Sequence, residues 1–211
     1  MVDKKTRNLK YISLLIKIMV GNLSNFTKID ILRCLLRIQK PVSRSFLSES
    51  LDLGEGTIRA ILNILKETDL LQSNKQGHHL SAKGSNIINK IKNTIDIKEA
   101  QINIFPDKKK IAIHLRNIKE IKSPVMLRDA AVKNGADGAL ILKFTNKLEV
   151  IDSDYEQDLK ELEDIFQLNK DDLIILAYAD SYKLAEHGAL AVAVELNNEL
   201  KNIVQGLKYS R

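Results

Sequence analysis

The segment Glu55-Gly56-Thr57-Ile58-Arg59-Ala60-Ile61-Leu62-Asn63-Ile64-Leu65-Lys66-Glu67-Thr68 sets the reading of everything around it. Ile58, Ile61, Leu62 and Leu65 stand at i, i+3, i+4 and i+7, the single buried stripe of an amphipathic helix. At about 100° per residue, the opposite face holds Gly56, Ala60, Asn63 and Glu67. Arg59 and Lys66 flank that face on one side, and Thr57 lies on the other near the N-terminus.

Upstream, Ile29, Leu32 and Leu35/Leu36 repeat at helical spacing as far as Ile38. Pro41 stops that helix, because the residue before a proline is pushed out of the helical region. Ser43 is an N-cap for a second, short helix ending near Leu51, and Asp52-Leu53-Gly54 forms the turn into the third. Downstream, Leu70-Leu71-Gln72-Ser73 reads as a strand, Asn74-Lys75-Gln76-Gly77 as a hairpin turn and His78-His79-Leu80 as the return. Ser81 then caps a helix reaching about Ile95. This is the order of a winged helix-turn-helix, and it assigns residues 26–95 to one domain.

In that fold the second helix of the helix-turn-helix enters the major groove of DNA. Arg59 can grip guanine or a phosphate, Asn63 can pair bidentately with adenine, and Ala60 and Gly56 allow close approach. With Thr57 and Lys66 they form the expected reading surface. Lys75 and Gln76 at the hairpin tip, with His78 behind them, are placed to reach a phosphate or the minor groove. Taken singly, each of these is equally explained as a solvated surface residue.

Charge supports the arrangement as a whole. The chain has 211 residues and a net charge of +6. Residues 1–95 carry 16 Lys and Arg against 7 Asp and Glu, whereas residues 96–211 carry 17 against 20. A basic half joined to a mildly acidic half points to a polyanion at one end only. The hydrophobic fraction of 44% with 28% charged residues is that of a globular protein, in which each half can bury a core. The single cysteine, Cys34, excludes a disulfide framework and fits a reducing cytoplasm; its apolar neighbours mark it as a small buried hydrophobe. Leu9 to Val20 is too short to cross a bilayer and is interrupted by Lys17. With no small-residue cleavage site after it, residues 1–25 read as an amphipathic helical extension.

The second half, residues 96–211, reads β-α-β-β-α-β-α: an α+β sandwich with helices on one face of a largely antiparallel sheet. Its strands are Lys110–Leu115, Ala139–Phe144, Leu148–Ile151 and Leu173–Tyr178. Its helices run from Val125 to Lys133, with Gly135 just beyond the end, from Tyr155 to Phe166, and from Asp180 or Ser181 to about Val204. Ala191–Val194 alternates like a strand, but its flanks favour helix.

Phe26-Thr27, Leu53-Gly54-Glu55-Gly56-Thr57-Ile58-Arg59, Leu65-Lys66-Glu67 and Gly77-His78-His79-Leu80-Ser81 with Lys83-Gly84 resemble a family of archaeal winged-helix proteins. These carry a C-terminal domain of unknown function. The likeness continues through Arg128-Asp129-Ala130-Ala131, Gly135-Ala136-Asp137-Gly138 and Tyr178-Ala179-Asp180-Ser181 to Gly188-Ala189-Leu190-Ala191, and so spans nearly the whole chain from Phe26. The N-terminal part is also similar to the DNA-binding domain of bacterial repressors of central glycolytic genes. The resemblance implies DNA binding with regulation and no established ligand.

Catalytic signatures are weak. His78 and His79 are adjacent, with no Cys or carboxylate at ligand spacing, so no metal is expected. No phosphate loop, nucleophile elbow or dinucleotide fingerprint is visible, so no cofactor and no enzymatic activity are expected. Asp180-Ser181 follows an apolar strand and opens a helix, a junction that suits a polar small molecule, although capping alone more often accounts for such a pair. The expected function is a DNA-binding transcription regulator, dimeric to match a palindromic operator, with double-stranded DNA and a small effector as partners and no membrane. The alternatives are a winged helix fused to a small metabolic enzyme, or a chromatin or scaffold module.

Overall fold

The computed structural model describes residues 26–207 apart from 117, 119, 120, 122 and 154–157. The helix expected within Leu9–Val20 and the start of the helix expected from Tyr155 lie outside the described residues.

Three helices open the fold: α1 (Lys28–Arg37), α2 (Arg44–Leu51) and α3 (Glu55–Glu67). A hairpin follows, β1 (Leu71–Asn74) and β2 (Gly77–Leu80), and then α4 (Ala82–Thr94). Each helix start has its chemical reason. Thr27 and Asp30 form a reciprocal capping box on α1, Ser43 accepts from the Phe46 amide, and Ser81 accepts from the Gly84 amide. Asp52 takes the left-handed conformation, φ 52°, that turns the chain from α2 into α3. Ile58, Ile61, Leu62 and Leu65 are buried as the spacing predicts, and Ile64 widens the stripe. This is the winged helix-turn-helix.

The second unit is an α+β sandwich built on a five-stranded antiparallel sheet. Its strands are β3 (Ile95–Glu99), β4 (Lys109–Leu115), β5 (Gly138–Phe144), β6 (Leu148–Val150) and β7 (Leu173–Ala179), in the order β3-β4-β7-β5-β6. Its helices are α5 (Pro124–Lys133), α6 (Lys160–Ile165), α7 (Tyr182–Leu196) and α8 (Asn198–Gly206). The edge strand β3 is absent from the sequence reading. It begins at Ile95 with no turn residue after Thr94, so it reads as the tail of α4. Asp96 and Lys98 alternate with its apolar residues and put charge on an exposed edge, a device that discourages edge-to-edge pairing.

The continuous apolar run of β7 is explained by burial on both faces. Leu173, Ile175 and Ala177 join the larger core beneath α7, while Ile174 and Leu176 join a second core with Leu162 and Phe166. The helices are therefore not all on one face: α6 covers the side opposite α7. The final helix is also broken. Asn197 leaves the helical region and its side chain accepts from the Leu200 amide, capping α8 in place of one helix running to Val204. Ala191–Val194 is helical.

The two units share one core. Ile29, Ile31 and Leu35 of α1 belong to the same buried cluster as Ala185, Ala189 and Val192 of α7. Among the described residues, no helix is long and apolar enough to cross a membrane.

Candidate nucleic-acid interface

The outward face of α3 is built by the packing of its inner one. With Ile58, Ile61, Leu62, Ile64 and Leu65 buried, Gly56, Arg59, Asn63 and Lys66 are exposed, and Thr57 and Ala60 are half-buried beside them. The side chains of Arg59, Asn63 and Lys66 make no hydrogen bond or ion pair with another described residue. Their donors are thus available to an external acceptor. A Cβ built on Gly56 meets nothing within 4 Å, so the backbone there stands open at the start of the helix.

The wing is stronger than a bare hairpin. Val42 donates to the His78 carbonyl at 2.9 Å and accepts from the His78 amide at 2.8 Å, a bridge that adds a third chain to its base. Gly77 makes this approach possible: its φ is +125°, and a Cβ there would stand 2.5 Å from the Val42 carbonyl oxygen. At the tip, the Gln76 amide donates to Asn74 Oδ1 at 2.8 Å, and Lys75 and Gln76 are exposed. His78 lies behind them, half-buried, with Nδ1 2.7 Å from Ser73 Oγ. Burial, and then the positive charges of Lys66 and Arg44, hold the His78 pKa below the usual imidazole value.

The structure thus brings Arg59, Asn63, Lys66 and the wing residues to one half of the molecule. It also adds Arg44, which the sequence analysis does not name. Arg44 contacts Glu55 at 3.2 Å across the α2–α3 turn and contributes to the field at His78.

The second expected site has a different neighbourhood. Ser181 caps α7, accepting from the Leu184 amide at 3.3 Å. Lys108 Nζ contacts Asp180 at 2.6 Å and Asp137 at 2.5 Å, so a lysine stands between two carboxylates. Lys108 is accordingly held further toward its charged form, by its bonds to Asp137 first and Asp180 second. The Gly135–Gly138 turn is adjacent to this junction, since Gly138 pairs with Tyr178 across β5 and β7. Sequence gave no sign of Lys108, which sits in a loop.

A polar network joins the two units, and the sequence reading missed it. Asp30, Arg33 and Arg37 recur at three and four residues, so they share one face of α1. Arg33 Nε donates to Glu186 Oε2 at 2.8 Å, and Arg37 binds the same carboxylate at 2.8 Å. His187 Nδ1 donates to the Asn134 carbonyl at 3.1 Å, while Nε2 lies 2.9 Å from Thr27 Oγ1 and 3.4 Å from Asp30. Burial pushes the Asp30 carboxyl up, but bonds from His187 and Thr27 outweigh it and hold the group well below the usual carboxylate range. A further buried pair, His114 Nε2 and Asp172 Oδ2 at 2.8 Å, lies under the sheet against Phe166. Cys34 is buried, and burial pushes its thiol up to about 12. Among the described residues, no group of three His, Cys, Asp or Glu is placed to hold a metal ion.

Residues 27–86 match the family model described as the PH0730-like, N-terminal domain, and residues 105–196 match that of a domain of unknown function, DUF4443. The chain is similar to the hypothetical protein PH0730 from Pyrococcus horikoshii OT3 at 28% identity. That likeness covers 85% of this chain and 100% of the other, with a TM-score of 0.69. No curated protein matches the chain.

Proposed function

We propose that the chain is a DNA-binding transcription regulator, in which α3 enters the major groove and the wing contacts the flanking backbone. The observation that carries this reading is the set of unpaired donors on the outer face of α3, Arg59, Asn63 and Lys66, on the half of the chain with a surplus of nine positive charges. Arg59 and Asn63 have the donor patterns that discriminate guanine and adenine, and Lys75 and Lys66 supply phosphate contacts. A homodimer in the cytoplasm, bound to a two-fold operator, is the form in which one such module acquires useful specificity.

In this reading the C-terminal unit regulates and does not catalyse. Its buried His–Asp pair, His114 and Asp172, is 1% and 5% exposed, and so lies out of reach of a substrate. Selection of bound fragments from random and genomic duplex DNA, using the full chain, tests the proposal. A recurrent motif with two-fold symmetry supports it; recovery of unrelated sequences with no enrichment overturns it.

A further inference from the structure

A cleft of about 290 Å³ opens between the winged helix and the edge of the sheet. It is bounded by the ends of α1 and α4 and by β3. Its floor is apolar: Ile91, Ile95 and Ile111 are buried there, with Leu36 and Ile97 beside them. Its rim is charged, and the charges are unequally committed. Lys98 is turned away, over the Phe166 ring and toward the Ile165 carbonyl, and it pairs with Asp96. Glu99 is engaged by Tyr182. Arg37, Glu186 and Lys92 also line it.

Glu186 is oversubscribed. Arg33 and Arg37 both bind it; Arg33 also pairs with Asp30 at 3.4 Å, whereas Arg37 shares Glu186 with it. Arg33 is sealed from solvent, but the Arg37 side chain is 35% exposed and faces the cleft. Lys92 is exposed and forms no ion pair with another described residue. A second anion at this rim would therefore meet two cations, one of them planar and able to bind a carboxylate by two parallel hydrogen bonds. Its volume is at the small end of ligand pockets, and apolar walls with a few convergent polar groups are their usual makeup.

We propose that this cleft binds a small monocarboxylate with a branched or aromatic hydrocarbon body. Its carboxylate pairs with Arg37 and Lys92, and its hydrocarbon rests on Ile91, Ile95, Ile97 and Ile111. Such a ligand competes with Glu186 for Arg37 and weakens one of the two arginine bonds that tie α1 to α7. Whether this alters operator affinity rests on the reading of the chain as a DNA-binding regulator; the binding site itself does not.

The test uses full-length protein labelled at the isoleucine δ-methyl groups, titrated with 4-methylpentanoate and phenylacetate, and with 2-phenylethanol as the uncharged counterpart. Additions run to about 10 mM, enough to saturate a ligand of millimolar affinity. The expected result is saturable shifts at Ile91, Ile95, Ile97 and Ile111 with a carboxylate, and binding about tenfold weaker for 2-phenylethanol, the worth of one charge-assisted contact. Lys92→Gln, at an exposed position, should weaken carboxylate binding by about the same factor without disturbing the fold, and Arg37→Gln by at least as much. The proposal is overturned by the absence of saturable shifts at these methyls, by equal affinity for the alcohol, or by undiminished binding to Lys92→Gln. Duplex binding is followed in parallel on the same samples. Absence of duplex binding by the ligand-free chain would defeat the regulatory reading and leave the methyl shifts to decide the cleft.

Discussion

Arg33 of the first helix and Glu186 of the last long helix are 153 residues apart, yet Nε and Oε2 meet at 2.8 Å with the two residues 1% and 3% exposed. A buried pair of this kind costs desolvation when it forms, but removing one partner leaves a charge with no water and no counterion. Glu186→Ala strips Arg37 of its carboxylate, leaves Arg33 only the longer contact to Asp30 at 3.4 Å, and should destabilise the chain by about 3–5 kcal/mol. Because the pair and the shared apolar core join both units, urea unfolding should be a single transition, with coincident curves from probes in the winged helix and in the sheet. Glu186→Ala should shift the midpoint for both probes together. A shift confined to one probe would show that the two units do not communicate through this contact.

The outer face of α3 separates two kinds of DNA contact. Arg59→Ala or Asn63→Ala should cost about 1–3 kcal/mol on the preferred site and leave random duplex nearly unaffected. Lys75→Ala should weaken both alike. Gel-shift or anisotropy titrations on the two duplexes read the difference, and identical behaviour of Arg59→Ala and Lys75→Ala would mean that the reading face lies elsewhere.

His78 provides a pH signature. In the unbound chain its pKa lies below the usual imidazole value, because burial and then Lys66 and Arg44 disfavour the imidazolium. A depressed histidine pKa means that protonation opposes the unbound fold, an effect that appears as pH falls below about 6.5. Phosphates near the wing would reverse that preference and draw a proton in on binding. DNA affinity should therefore rise between pH 7.5 and 5.5 in the wild type, and His78→Gln should flatten that rise. An unchanged slope in the variant would remove His78 from the interface.

Gly84 tests the packing of the wing's supporting helix. A Cβ built there collides with the Leu70 carbonyl oxygen, which is backbone and cannot swing aside. Gly84→Ala should thus destabilise the chain by about 1–3 kcal/mol, despite the better helix propensity of alanine. A thermal melt at or above the wild-type midpoint would contradict the close approach of α4 to the Leu70 backbone.

What sequence revealed and what it hid divides by the range of the interaction. The α3 stripe, the caps at Ser43 and Ser81 and the Asn74–Gly77 turn are local patterns, and each stands where its spacing put it. β3 was hidden because no breaker separates it from α4, and the Val42–His78 bridge because a single pairing residue leaves no period to read. The Asn197 break was missed because a capping asparagine inside an apolar helix resembles any other polar residue. Arg33 within Ile31-Leu32-Arg33-Cys34-Leu35 was a visible oddity, a charge on a buried run, but its partner lies 153 residues away and no spacing rule reaches that far. The residues of the proposed interface carry their own donors, so they could be named in advance. The cleft beside Arg37 exists only once α1, α4 and β3 have met.

The most direct measurement of the central claim is the salt dependence of duplex binding by the full chain. Contacts to about five or six phosphates release their counterions on binding, and log affinity should then fall with log salt at a slope near −5. A steep linear dependence of that order, with the slope reduced by about one in Lys75→Ala, is the predicted result. A slope near zero, or no binding to duplex DNA at low salt, would contradict the assignment of this winged helix to DNA.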